Sequence, residues 1–133
     1  MKSLVVAGHG MVGHRLVEEL VEAGALEGPD AWEVTVVGEE TRPAYDRVAL
    51  SSAFGGAGED QLTLVSDGFF DTPGLRLLVD EVVATVDREA RTATTSKGRV
   101  LAYDHLVLAT GSRPFVPPLP GKDLPGVLSL IHI

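Results

Sequence analysis

The sequence contains no cysteine. That absence removes disulfides, thiolate metal ligands and a dithiol redox centre, so any redox chemistry here needs a cofactor from outside the chain, and it fits a cytoplasmic protein. Positive charge is scarce as well. Lys and Arg number 11 against 19 Asp and Glu, for a formal net charge of −8, and the basic residues are scattered singly. Nucleic-acid binders concentrate Lys and Arg, so no nucleic-acid partner is expected. Long apolar runs are missing too: near the start, Leu4 to Ala7 runs straight into Gly8. A membrane span needs roughly 20 apolar residues, so this run reads as a strand and not as a membrane or signal segment. No internal repeat is visible, and the four histidines show no metal-ligand spacing.

What is present fits one globular domain. The chain has 133 residues, 44% hydrophobic and 23% charged, which is ordinary globular usage. At this length a fold buries roughly two-thirds of the surface that the unfolded chain exposes, enough for a single core.

Local patterning gives an α/β order. Residues 3–7 form a short apolar run with β-branched Val5 and Val6, as a buried parallel strand should. After Gly13, the apolar Leu16, Val17, Leu20 and Val21 fall at helical spacing with glutamates between them, and Gly24 supplies a stop. Gly28, Pro29 and Asp30 break the chain, and 32–37 reads as a second strand. The stretch 41–60, with Pro43, two serines and a Gly-Gly pair, reads as a long functional loop with a short helix at 48–54. Further strands are expected at 75–78, 81–87, 92–95 and 100–102, forming a β-meander. A last apolar strand over 103–110 ends in Gly111, and a run of prolines from Pro114 to Pro125 makes the following segment extended and irregular.

Gly8, Gly10 and Gly13 form a G-x-G-x-x-G pattern that follows a predicted strand and opens a predicted helix. The first glycine permits a tight turn, the second lets backbone approach a pyrophosphate, and the third allows close helix–strand packing. The helix N-terminus adds free N–H groups and partial positive charge. A ligand-free glycine turn has the same pattern, but the second strand adds to it by ending in Gly38 and Glu39. An acidic residue at that tip is where a dinucleotide's ribose hydroxyls are bonded. Glu40 is the neighbouring rival and otherwise a solvated loop charge. His9 and His14 flank the glycines without an expected chemical role, and His105 and His132 have no identifiable partner.

The loop that follows, from Arg42, Pro43, Ala44, Tyr45, Asp46 and Arg47 to Leu50 and Ser51, resembles the loop after strand two in NAD(P)H-dependent flavoprotein reductases with two dinucleotide-binding domains. Ala109, Thr110, Gly111, Ser112, Arg113 and Pro114 are similar to the A-T-G-x-x-P signature that closes the first FAD-binding segment there, and Pro118, Leu119, Pro120 and Gly121 match the stretch after it. Together with Gly38, Glu39 and Glu40, the loop looks most like the large-subunit branch of assimilatory NADH-dependent nitrite reductases. Related ferredoxin-type reductases often carry a lysine after the Leu-Ser pair, where this chain has Ser52.

The resemblance implies a Rossmann-like FAD-binding domain over 1–127, a parallel sheet with a β-meander. Its implied site has Gly8, Gly10 and Gly13 at the FAD pyrophosphate and Glu39 at the adenosine ribose. Arg47 lies near the phosphates or the ribityl chain, or else pairs with Asp46 at the surface. Val83 offers its backbone beside adenine, unless it is a plain core residue, and Thr110 and Gly111 approach FAD closely. No catalytic residue and no metal ligand is assigned. The whole enzyme would pass electrons from NAD(P)H to FAD, then through an iron–sulfur cluster and sirohaem to nitrite, giving ammonium, with a small subunit as partner. Residues 128–133 read as an aberrant or truncated terminus ahead of the NAD-binding domain, and the 133 residues alone are expected to be inactive. A ferredoxin or rubredoxin reductase and a non-catalytic nucleotide-binding module are the alternatives.

Overall fold

Strands that bury both faces need apolar residues at successive positions, and the first strand has them. In β1 (Lys2–Ala7), Leu4, Val5, Val6 and Ala7 are all buried. The structure is a computed structural model and describes residues 1–56 and 58–128; His132 and all of the expected aberrant terminus but Leu128 lie outside them. α1 spans Met11–Glu22 and β2 spans Trp32–Val37, and β2 pairs with β1 in parallel through Val5 opposite Thr35 and Val6 opposite Val36. The helix begins two residues ahead of Gly13, with Gly10 as its N-cap, and ends where Gly24 turns at φ +69°.

One expectation is corrected. Residues Leu75–Leu78 do not belong to the meander; as β3 they pair in parallel with β2, Val34 opposite Leu75 and Val37 opposite Leu78. Gly74, at φ +82°, makes this possible by turning its carbonyl to accept the Val34 N–H at 2.8 Å. β4 (Val83–Asp87), β5 (Thr92–Thr95) and β6 (Val100–Ala102) form the antiparallel meander, and β7 (His105–Leu108) returns to pair in parallel with β1. Among the described residues the main sheet thus runs β3-β2-β1-β7. The loop 41–60 holds a 3₁₀ turn at Leu50–Gly55 in place of the helix expected at 48–54, and the short α2 (Glu59–Leu62) overlaps its end. A second 3₁₀ turn covers Phe69–Asp71.

The two faces of the sheet bury separate cores, as the alternation of side chains along each strand requires. Leu4, Val6, Val34, Val36 and Leu75 pack under Val17 of α1 and Leu26, with Phe69 and Phe70 at the border. Val5, Val37 and Leu78 point the other way and are covered from the meander side by Val83, Leu101 and Tyr103. Asp104 ties the junction of β6 and β7 to β1 by accepting from the Ser3 N–H at 2.8 Å. That bond holds its carboxyl below the ordinary aspartate range. No helix among the described residues is long and apolar enough to cross a membrane.

Candidate functional site

The C-terminal ends of β1, β2 and β7 and the start of β4 open on one cleft of about 960 Å³. Ligands of open α/β sheets bind at this edge, outside the carboxyl ends of the strands. The turn between β1 and α1 forms its floor. Gly8 has φ +113°, and a Cβ there would overlap the Ala109 carbonyl, so this glycine lets β1 and the end of β7 approach. A Cβ on Gly13 would strike the Gly8 carbonyl, which fixes the distance between helix and turn. Gly10 differs from both: among the described residues a Cβ there would meet nothing within 4 Å and would project into open space. Its position as N-cap, with no side-chain cap, leaves the first amides of α1 facing the cleft without a competing side chain.

Acidic and basic groups line the rim. Glu39, just past β2, is exposed and lies 3.5 Å from Arg113, which follows β7, so this pair spans the cleft mouth. Glu40 is not the solvated loop charge that the sequence allows. Its Oε1 accepts from Arg47 Nη2 at 2.7 Å and from the Tyr45 hydroxyl at 3.2 Å. Arg47 consequently pairs with Glu40 and not with Asp46, whose Oδ1 is occupied by the Val48 and Ala49 amides. Burial and the bond to Glu40 raise the pKa of Tyr45, so it stays a neutral donor.

Opposite the rim, Glu81 is 2% exposed and accepts from Arg99 Nε at 2.9 Å. The Thr95 hydroxyl, with Arg99 after it, holds the Glu81 carboxyl below the ordinary glutamate range. Beneath the glycine turn, His9 and His14 stack edge-on, ring centroids 5.4 Å apart, against Phe70 and Phe69 respectively. Among the described residues neither nitrogen of His9 has a hydrogen-bond partner. Burial, with the neighbouring His14, lowers the His9 pKa to about 4. Burial also lowers that of His14, against the opposing pull of Glu18, 3.5 Å away, and of the Leu64 backbone. Both rings are therefore neutral packing groups at pH 7.

The family pattern described as pyridine nucleotide-disulphide oxidoreductase matches residues 2–132. The chain belongs to the pyridine nucleotide-disulphide oxidoreductase family. Two curated relatives share its sequence closely. The nitrite reductase (NADH) large subunit of Escherichia coli strain K12 is 42% identical over 90% of this chain and 14% of its own length. The nitrite reductase [NAD(P)H] large subunit of Klebsiella oxytoca is 45% identical over 92% of this chain and 12% of its own length. Among solved structures, the ferredoxin reductase for the CYP199A2 system from Rhodopseudomonas palustris aligns with a TM-score of 0.81 at 28% identity, covering 96% of this chain and 31% of that one. The chain thus spans about a seventh or less of these nitrite reductase subunits.

The pyridine nucleotide-disulphide oxidoreductase fold brings seven of the expected site residues to one cleft: Gly8, Gly10, Glu39, Arg47, Val83, Thr110 and Gly111 all line it. Gly13 stands behind the turn as a packing glycine. Ser52 lies exposed on the 3₁₀ turn and outside the cleft lining. His105 does have a neighbour, the Trp32 ring, at 5.2 Å between centroids. Among the described residues there is no cluster of histidine and acidic side chains that could hold a metal. Sequence reading missed Glu81, Arg42 and Val82 as cleft residues. The one signal for Glu81 is a carboxylate opening an otherwise apolar strand pattern.

Proposed function

We propose that residues 1–127 form the FAD-binding domain of an NAD(P)H-dependent flavoprotein oxidoreductase of the nitrite reductase type. The observation that carries this reading is Gly10, which leaves the helix start open toward a cleft flanked by an acidic strand tip and an arginine loop. The cradle suits the group: a Cβ at Gly10 would enter the space that a pyrophosphate needs, Glu39 is available to ribose hydroxyls, and Arg47 supplies positive charge. Val83, at the start of β4, provides backbone for adenine, and Thr110 and Gly111 form the opposite lip. When bound, FAD supplies a hydride acceptor; this chain's residues orient it and offset its phosphate charge.

Identities of 42% and 45% to two nitrite reductase large subunits favour nitrite as the terminal acceptor of the whole enzyme, by way of an iron–sulfur cluster and sirohaem held outside these residues. A cytoplasmic address and a small subunit as partner belong to the same proposal. The fold shared with a ferredoxin reductase gives the second reading, in which electrons leave to a ferredoxin. Against it stands Ser52, in the position where ferredoxin-type reductases often carry lysine.

The test is the visible absorption spectrum of the purified chain after incubation with excess FAD and removal of free ligand. Flavin bands retained near one equivalent support the proposal. A folded chain that stays colourless and binds NADH instead overturns it in favour of a nucleotide-sensing module.

A further inference from the structure

Two acidic residues follow β2, and their surroundings differ. Glu39 faces the cleft mouth, whereas the Glu40 side chain reaches along the loop to Tyr45 and Arg47. We propose that Glu40 and Tyr45 are positioning residues, which hold the Arg42 and Arg47 guanidiniums as a two-cation clamp on the pyrophosphate of the bound dinucleotide. This rests on the dinucleotide reading above and extends it from the ligand to the device that aims the charges.

The geometry builds the clamp from the ring outward. The Arg42 and Arg47 guanidinium carbons lie 5.7 Å and 5.6 Å from the Tyr45 ring centroid, so one aromatic face system serves two cations. The Tyr45 hydroxyl and Arg47 Nη2 share Glu40 Oε1. That oxygen fixes the ring's rotation and one edge of the guanidinium together. The bond to Glu40 engages one of the five N–H donors that a guanidinium carries, which leaves donors for a phosphate.

Both ends of this unit are anchored in the fold. The Glu40 carbonyl accepts from the Asp80 N–H at 3.1 Å, which fastens the tip of β2 to the turn after β3. Tyr45 bridges to Thr63, and the Asp46 N–H donates to the Leu62 carbonyl at 2.7 Å. Arg42, Arg47 and Glu40 all line the cleft. In a chain of net charge −8, an anionic ligand is repelled at a distance, so binding depends on cations held close and correctly oriented.

Positioning and simple charge make opposite predictions for Glu40. Its carboxylate is itself negative and lines the cleft, so if it only adds charge, Glu40→Leu tightens FAD binding. If it positions Arg47 and Tyr45, Glu40→Leu weakens binding even though the site becomes more positive.

The experiment measures FAD affinity by quenching of flavin fluorescence for the parent chain, Glu40→Leu, Tyr45→Leu and Tyr45→Phe, each shown to be folded by circular dichroism. The expected result is binding about tenfold weaker in Glu40→Leu and in Tyr45→Leu, with Tyr45→Phe, which keeps the ring, within about threefold of the parent. Unchanged or tighter binding in Glu40→Leu overturns the clamp, as does binding in Tyr45→Leu as tight as the parent's. If Tyr45→Leu does not fold, Glu40→Leu decides alone. A folded parent chain that binds no FAD overturns the dinucleotide reading and the clamp with it, whereas a binding parent with indifferent variants overturns the clamp only.

Discussion

Protonating His9 places a cation between the Phe70 and His14 rings, with no acceptor for either nitrogen among the described residues. Its folded pKa of about 4 lies below the ordinary 6.5, so between those values the unfolded chain binds more protons than the folded one. The stability that neutral His9 contributes is complete above about pH 6.5 and is lost as pH falls towards 4, by about 3 kcal/mol in all. His14 acts in the same direction. Urea melts across this range should show the parent losing more stability than His9→Asn; equal pH slopes would refute the assignment. The glycines separate in a similar way. Gly8→Ala meets both a positive φ and the Ala109 carbonyl and should destabilise the fold by about 3 kcal/mol or more. Gly10→Ala has room, so its melting temperature should stay near the parent's while FAD affinity falls at least about tenfold. The three glycines were legible because their spacing is local. The burial of the two histidines was not, because Phe69 and Phe70 reach them from a distant part of the chain.

At the scale of elements, what could be read from sequence was whatever a single segment decides. β1, α1 and β2 follow from apolar runs and helical spacing, and the meander strands β4, β5 and β6 follow from short runs between turns. β3 was assigned to the wrong sheet because its pairing partner, β2, lies across the long loop, and a short apolar run carries no label for parallel or antiparallel partners. The same limit hid the link between the two sheets. Glu81 fastens the meander to the parallel sheet twice: its N–H donates to the Gly38 carbonyl at 3.0 Å, and its carboxylate holds Arg99, which follows β5. Removing the cation leaves a buried carboxylate without its charged partner. Arg99→Ala should therefore loosen the meander first. Hydrogen exchange should rise by about tenfold or more at the Thr95 amide, which closes the turn after β5 on the Arg99 carbonyl, and at the Ser96 amide, which donates to the Val82 carbonyl ahead of β4, and stay unchanged at Val5 and Val36 in the parallel sheet. A uniform rise at all four amides would show that the two sheets open as one unit and refute the local role.

For the whole molecule, the cleft lies where the parallel sheet and the meander meet, so a ligand that fills it ties both bodies to the folded state. The glycine turn, Arg42, Arg47, Glu39 and Val83 line its wall, and under the proposed function the turn and the arginines take the pyrophosphate, Glu39 the ribose and Val83 the adenine of the adenosine diphosphate half. Ligand binding to the folded state alone stabilises it by about 2.7 kcal/mol when the ligand is present at about 100 times its dissociation constant. If the adenosine half provides most of the contact energy, ADP should raise the melting temperature nearly as much as FAD at matched concentration. FMN, which has the isoalloxazine ring and one phosphate but no adenosine, should raise it little. ADP should also displace FAD from the parent chain, and both nucleotides should protect Gly10→Ala less than the parent although that variant melts like the parent without ligand. A larger shift with FMN than with ADP would move the flavin end onto the glycine turn and reverse the assignment of Glu39 and Val83. Equal small shifts with every nucleotide, at concentrations where the flavin spectrum shows no binding, would leave the cleft without a dinucleotide role.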